Sequence, residues 1–193
     1  MIDSQRINRF LDHYQIDDPD LLSAWLGQSS IIQAERDQVL LQTGAEQTHL
    51  FVILSGLIRY YYTSPNGKEW NRVFFREQQI IGSLSALLTQ SPSRFTIAAL
   101  EASELIATPI DSFIKLGDQF PQITRLQIQV TEEMFLRNEL REGILLTGNT
   151  EERYQWLIGN EPWLLERVPQ YQLASYLGMD AVSFSRVKSK LSN

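Results

Sequence analysis

The sequence contains no cysteine. Disulfides, thiolate metal sites, cysteine nucleophiles and iron–sulfur clusters are therefore excluded together. Histidine is almost as scarce: His13 and His49 are the only two, too few to build a zinc site alone. No Gly-rich phosphate loop of the P-loop or dinucleotide type occurs. No apolar run approaches the roughly 20 residues of a membrane span. The opening Met1-Ile2-Asp3-Ser4-Gln5-Arg6 lacks signal-peptide character, so the expected location is cytoplasmic. Basic residues are in deficit as well: 17 Lys and Arg against 23 Asp and Glu leave a net charge of −6. That average counts against a phosphate-rich partner, but only the surface that meets the partner matters. From Gly178 to Asn193 one acid, Asp180, stands against Arg186, Lys188 and Lys190, a local net of +2.

What is present suits an ordinary soluble protein of 193 residues, 43% hydrophobic and 21% charged, long enough for two small domains. Residues 3–28 read as helical: Ile7, Phe10 and Leu11 share a face, and Asp18-Pro19 is a cap followed by a first-turn proline. From Ser30 to Pro109 the apolar runs become short and β-branched or aromatic. Turn residues separate them, Asn66-Gly67 among them as a hairpin signal. This alternation predicts a β-sandwich or roll. A helix follows from about Phe120 to Thr147. About 28 residues at 1.5 Å each would span about 40 Å. Its stripe of Leu126, Val130 and Met134 is expected to face a second copy. Gly148-Asn149 ends this helix, and Thr150 is expected to cap the next.

The most constrained segment is PQYQLASYLGMDAVSFSRVKSKL, Pro169 to Leu191. A helix-turn-helix must bury two apolar residues of its first helix, here Leu173 and Leu177, around a small residue, Ala174. Its turn needs a residue tolerant of positive φ, and Gly178 stands there. Asp180 can cap the second helix, and Met179, Phe184 and Val187 give it an inward stripe. Ala181, Val182, Ser185, Arg186 and Ser189 are left facing outward, small residues and hydroxyls around one arginine, a surface able to enter a major groove. The expected DNA-contacting set is Asp180, Ala181, Val182, Ser183, Ser185, Arg186, Lys188 and Lys190.

The run Ala174-Ser175-Tyr176-Leu177-Gly178, followed by Ser185-Arg186-Val187, resembles the recognition motif of the Crp/Fnr family. Glu152-Arg153-Tyr154 and Pro162-Trp163-Leu164-Leu165 are similar to the segment joining that family's long helix to its DNA-binding part. The Leu50 to Gly56 run and the Ile81-Gly82 turn are similar to its cyclic-nucleotide-binding roll. The resemblance implies an α+β chain: a double-stranded, jelly-roll-like β-roll sensor over 1–119, a dimerisation helix over 120–148 and an all-α helix-turn-helix over 149–193. It further implies a homodimer on double-stranded DNA, a small-molecule effector in each roll, contact with RNA polymerase, and no enzymatic activity.

The departures are specific. Nucleotide-binding members of that family carry Gly-Glu-Leu, a short helix and then an arginine, the glutamate binding the ribose and the arginine the phosphate. Here the stretch is Gly82-Ser83-Leu84, a short apolar helix, and Arg94. The candidate effector contacts are thus Gly82, Ser83, Leu84, Arg94 and Phe95. A cyclic nucleotide is not expected, because Ser83 offers a neutral hydroxyl in place of a carboxylate and Leu84, Leu87, Leu88 and Phe95 fill the space. No cofactor or metal is expected. Val182 stands where the family's recognition glutamate would be, and it can pack on a thymine methyl. The stretch before Pro169 is too short for the β-hairpin wing many members carry. Two other readings bear weighing. A cupin-type enzyme would need two or three histidines on inward strand positions. A roll sensor acting through protein partners without DNA would fit the acidic charge.

Overall fold

The computed structural model describes residues 4–191. It opens with two helices, α1 (Ser4–His13) and α2 (Pro19–Gly27). Asp18 caps α2, its carboxylate accepting from the Asp20 and Leu21 amides. The strands follow as β1 (Ser30–Ala34), β2 (Val39–Leu41), β3 (His49–Ser55), β4 (Ile58–Thr63), β5 (Glu69–Phe75) and β6 (Ile80–Ile81). Helix α3 (Leu84–Thr89) separates these from β7 (Thr96–Ala99) and β8 (Ser103–Pro109). They form two four-stranded sheets, β1-β8-β3-β6 and β2-β7-β4-β5, with antiparallel pairing in register such as Phe51 opposite Ala107. This is the expected β-roll. The β3–β4 corner needs glycine: Gly56 has φ +103°, and a Cβ there would strike the backbone of Ser103.

Helices α4 (Ile110–Gln119) and α5 (Pro121–Thr147) come next, then α6 (Thr150–Asn160), α7 (Leu164–Arg167), α8 (Gln170–Tyr176) and α9 (Ala181–Leu191). Asn149, not Thr150, caps α6. Its side chain accepts from the Glu151 and Glu152 amides while the Glu152 carboxylate accepts from the Asn149 amide. That reciprocal pair satisfies donors a threonine one residue later could not reach. Among the described residues no strand follows β8.

The chain divides into two compact units, Met1–Tyr62 with Val73–Val130 and Thr63–Arg72 with Thr131–Asn193. The long helix is not a unit of its own, because its two ends are buried in different surroundings. In the first unit Ile123 and Leu126 of α5 enter a core with Phe10, Leu21, Trp25, Leu54, Ile106, Phe113 and Leu116. The Trp25 indole N–H donates to Thr108 Oγ1 at 2.8 Å. In the second unit the hairpin tip Thr63–Arg72 joins the rest of α5 and the C-terminal helices. No helix among the described residues is long and apolar enough to cross a membrane.

The face of α5 corrects the expected dimer stripe. Leu126 is buried in its own unit, and Val130 packs against the same core; Met134 is half-buried. At about 100° per residue, Ile123, Leu126, Val130, Met134, Arg137 and Arg141 all fall on one side. The large apolar residues left exposed, Ile128, Phe135, Leu136, Leu140 and Leu146, lie on the other. The helix has two apolar faces, and the sequence pattern picked out the one that its own chain covers.

Candidate nucleic-acid interface

Helix α8 is held by its inward residues: Leu173, Ala174, Tyr176 and Leu177 are all buried. Gly178 then takes φ +64°, the left-handed turn that lets the chain reverse. Asp180 starts α9, its carboxylate accepting from the Ser183 amide at 2.7 Å and the Ser183 hydroxyl at 2.9 Å. The Ser183 amide is the main reason that this carboxyl is held below its ordinary pKa. Helix α9 buries Phe184 completely, edge-on to Tyr154 of α6 at 5.3 Å. Met179 and Val187 are only half-buried, so Phe184 anchors the helix.

The turn is fastened from behind by arginines. Arg153 of α6 donates to the carbonyls of Leu145, Gly148 and Leu177, at 2.8, 3.0 and 3.2 Å. It thereby ties the end of α5 to the turn between α8 and α9. Arg137 pairs with Glu161 at 2.6 Å, and Glu161 accepts from the Tyr176 hydroxyl at 2.7 Å. Burial pushes the Tyr176 phenol well above its ordinary pKa. Arg141 stacks over the Tyr176 ring at 4.3 Å and donates to the Tyr176 carbonyl at 2.6 Å and the Asn71 carbonyl at 3.2 Å. Burial also lowers the Arg141 pKa, opposed by Tyr176 and Glu161. None of these side chains was among the expected site residues. A signal did exist for two of them: Arg137 and Arg141 continue the buried side of α5 at spacings of three and four, where an unpaired cation could not remain.

The hairpin tip lies against α8. The Asn71 amide donates to Ser175 Oγ at 3.0 Å, and the Ser175 hydroxyl donates to the Glu69 carbonyl at 3.0 Å. Asn71 Nδ2 donates to the Gln172 carbonyl at 2.9 Å and to the Gln172 side chain.

The expected DNA-contacting residues separate into two groups. Ala181, Val182, Ser185 and Arg186 are exposed on one face of α9, with Ser189 beside them. Asp180 and Ser183 are engaged with each other as the helix cap. Lys190 is exposed but ion-paired with Glu151 at 2.8 Å, and Lys188 is half-buried.

The candidate effector residues, in the first unit, are arranged differently. The Gly82 amide donates to the Tyr60 hydroxyl at 2.7 Å, and that hydroxyl donates to the Gly82 carbonyl at 3.0 Å. Ser83 is fully buried, its hydroxyl accepting from the Ala86 amide to cap α3 and its own amide donating to Gln47. Phe95 is buried and stacked on Tyr60 at 4.9 Å, with Phe75 on Tyr60 at 4.7 Å. Leu84 and Leu87 are half-buried, whereas Leu88 is 73% exposed and fills no interior space. Arg94 is exposed. Tyr60, Tyr61, Phe74 and Phe75 are core residues.

Residues 31–120 match the cyclic nucleotide-binding domain. The chain is 32% identical over 131 residues to the anaerobic regulatory protein of Aggregatibacter actinomycetemcomitans, covering 65% of this chain and 48% of that one. It thus spans about half the length of the curated relatives it matches. In fold it is similar to FixK2 from Bradyrhizobium japonicum, with TM-score 0.72, 17% identity and coverage of 85% of this chain and 84% of that one. It is also similar to CLP, the c-di-GMP responsive global regulator of Xanthomonas campestris, with TM-score 0.73, 16% identity and coverage of 91% and 92%. By sequence the likeness to the cyclic nucleotide-binding domain is confined to residues 31–120, and the solved structures share the fold of this chain.

Proposed function

We propose that this chain is a bacterial DNA-binding transcriptional regulator that reads a major groove with α9. The observation that carries the reading is the α9 surface. Phe184 pins the helix from beneath, Asp180 fixes its first turn, and Val182, Ser185 and Arg186 stand exposed above. A guanidinium can bond a guanine edge in two places, and a valine can pack on a thymine methyl. The reader works as a homodimer, each copy covering the Phe135, Leu136, Leu140 and Leu146 face of the other's α5, since a two-fold pair of readers matches successive half-sites. RNA polymerase is the partner through which such a regulator would act on transcription.

The roll does not suit a cyclic nucleotide. Its glycine turn is occupied by the Tyr60 hydroxyl, and Ser83 is turned into the α3 cap. Any effector would have to be of another kind or bind elsewhere. The test of the reading is direct. Duplexes are selected from a randomised pool by the full chain, and their affinity is measured by fluorescence anisotropy. Selected duplexes that bind wild type and Arg186→Ala equally would overturn it.

A further inference from the structure

The second unit spends many of its cations on its own groups. Arg153 donates to the carbonyls of Leu145, Gly148 and Leu177, and Arg141 to those of Tyr176 and Asn71. Arg137 is paired with Glu161, and Lys68 lies over the Trp70 ring. On α9 itself Arg186 is exposed and Lys188 half-buried. Lys190 stands in the last turn with its side chain 68% exposed, yet both oxygens of the Glu151 carboxylate hold its ammonium, at 2.8 and 2.9 Å. Glu151 belongs to the first turn of α6, whose start is already closed by the Asn149–Glu152 capping box. The cap does not use the Glu151 carboxylate, which turns to α9 instead.

We infer that Glu151 is a specificity-determining residue: by holding Lys190 it withholds a phosphate-binding charge from the side of α9. Affinity then depends on base contacts rather than on the backbone common to every duplex. The inference rests on the DNA reading above. A helix about 10–12 Å across fills a major groove about 12 Å wide, so residues towards its sides meet the phosphate walls. Lys190 lies one turn beyond Arg186 and about 40° further round the helix, on the way from the base-facing side to a wall.

Each phosphate that a cation neutralises favours binding to any sequence and steepens the salt dependence. An ammonium already matched by a carboxylate brings no net charge to the phosphate and adds neither. An exposed ion pair is worth little to stability, but its effect here does not depend on its strength. If Lys190 left for a phosphate, the Glu151 carboxylate would stand unmatched beside a polyanion, and that repulsion offsets the new contact.

The test measures binding of the full chain to duplexes that it selects from a randomised pool and to random duplexes, each over a range of salt. Glu151→Gln should bind random duplexes up to about tenfold more tightly near 0.1 M salt, with a salt slope steeper by about one, the value of one further phosphate contact. The ratio of selected to random affinity should fall accordingly. Glu151→Gln combined with Lys190→Gln should return both quantities to wild type, because one neutral pair replaces another. Unchanged slope and random-duplex affinity in Glu151→Gln would overturn the inference. A shallower slope in the double variant would overturn it too, since Lys190 would then already touch a phosphate in wild type. Loss of selected-duplex affinity in Glu151→Gln with no gain on random duplexes would make the pair a prop for α9 instead. If neither wild type nor Glu151→Gln retains any duplex, the DNA reading itself falls.

Discussion

The roll at Gly82–Ser83 and the reader at Asp180–Arg186 both start from a glycine-led turn into a helix capped by a polar side chain. They use their polar groups in opposite ways. In the roll those groups are satisfied by the chain itself: Tyr60 closes on Gly82, Ser83 on Ala86, and the tyrosine ring packs against Phe75 and Phe95. In the reader the cap is equally closed, but the next turn presents Val182, Ser185 and Arg186 outward. A buried polar group must find a partner within the protein, because leaving it unpaired costs about 1–3 kcal/mol. A surface that retains exposed polar groups over a rigid support remains free to bind. By that criterion the α9 surface keeps groups open to a partner, whereas those at Gly82–Ser83 are bonded within the chain.

The largest effect expected bears on how rigidly the reader is supported. Glu161 is buried between Arg137 and Tyr176. Glu161→Ala leaves a cation and a phenol without their partner, and breaking a buried pair in this way costs about 3–5 kcal/mol. Urea unfolding followed by circular dichroism measures it; a loss below about 1 kcal/mol would mean that the Arg137–Glu161–Tyr176 group adds little to the hold of α5 on the reader.

Assembly is the next test. Phe135 is 64% exposed on the side of α5 that its own chain leaves uncovered. Phe135→Glu would place two like charges across a two-fold contact and should yield monomers by light scattering, with little change in thermal stability at matched protomer concentration. Persistence of the dimer would move the interface off this face. Val130→Glu acts on the opposite side and is expected to damage the first unit's core instead.

Two substitutions of similar size should show opposite signatures. Tyr60→Phe removes the hydroxyl that both bonds of Gly82 need, at about 1–3 kcal/mol of stability, and should leave DNA affinity intact. Arg186→Ala should cost about 1–3 kcal/mol of specific binding and almost nothing in unfolding. If either variant shows the other's signature, the division between structural cassette and open reader fails.

Much of this division is legible in the amino acids. Leu173, Ala174, Leu177, Gly178 and Phe184 each satisfy a separate local demand of the helix-turn-helix, so the motif is over-determined by residue type and spacing. The hairpin at Asn66-Gly67 and the Asp18-Pro19 helix start are legible for the same reason. The α5 faces are not. A helix covered by its own chain on one side and apolar on the other gives two stripes of nearly equal strength, and periodicity does not say which is already occupied. The hairpin's bonds to α8 are invisible too, since Asn71 and Ser175 lie 104 residues apart and nothing in either neighbourhood points to the other. Lys190 looks free in the sequence because its partner, Glu151, belongs to a different helix.

The smallest expected effect is none at all, and it tests the roll side of the comparison directly. Cyclic AMP and cyclic GMP should give no saturable heat on isothermal titration into the full chain at micromolar concentrations. In the nucleotide-binding relatives that this cassette resembles, a carboxylate takes the ribose hydroxyl and an arginine the phosphate. Here Ser83 is fully buried and committed to α3, and Arg94 is exposed. A hydrogen bond to a charged group contributes about 1.5–3 kcal/mol. At about 1.4 kcal/mol per factor of ten, losing the carboxylate alone weakens a nucleotide at least tenfold. A ligand reaching for Gly82 must also displace the Tyr60 hydroxyl and part Tyr60 from Phe95, costs that an open pocket would not impose. Ser83→Glu alone should not restore binding, because the tyrosine still closes the turn. A micromolar dissociation constant for either nucleotide, abolished by Arg94→Ala, would show that the aromatic interior opens and that the roll is a nucleotide sensor after all.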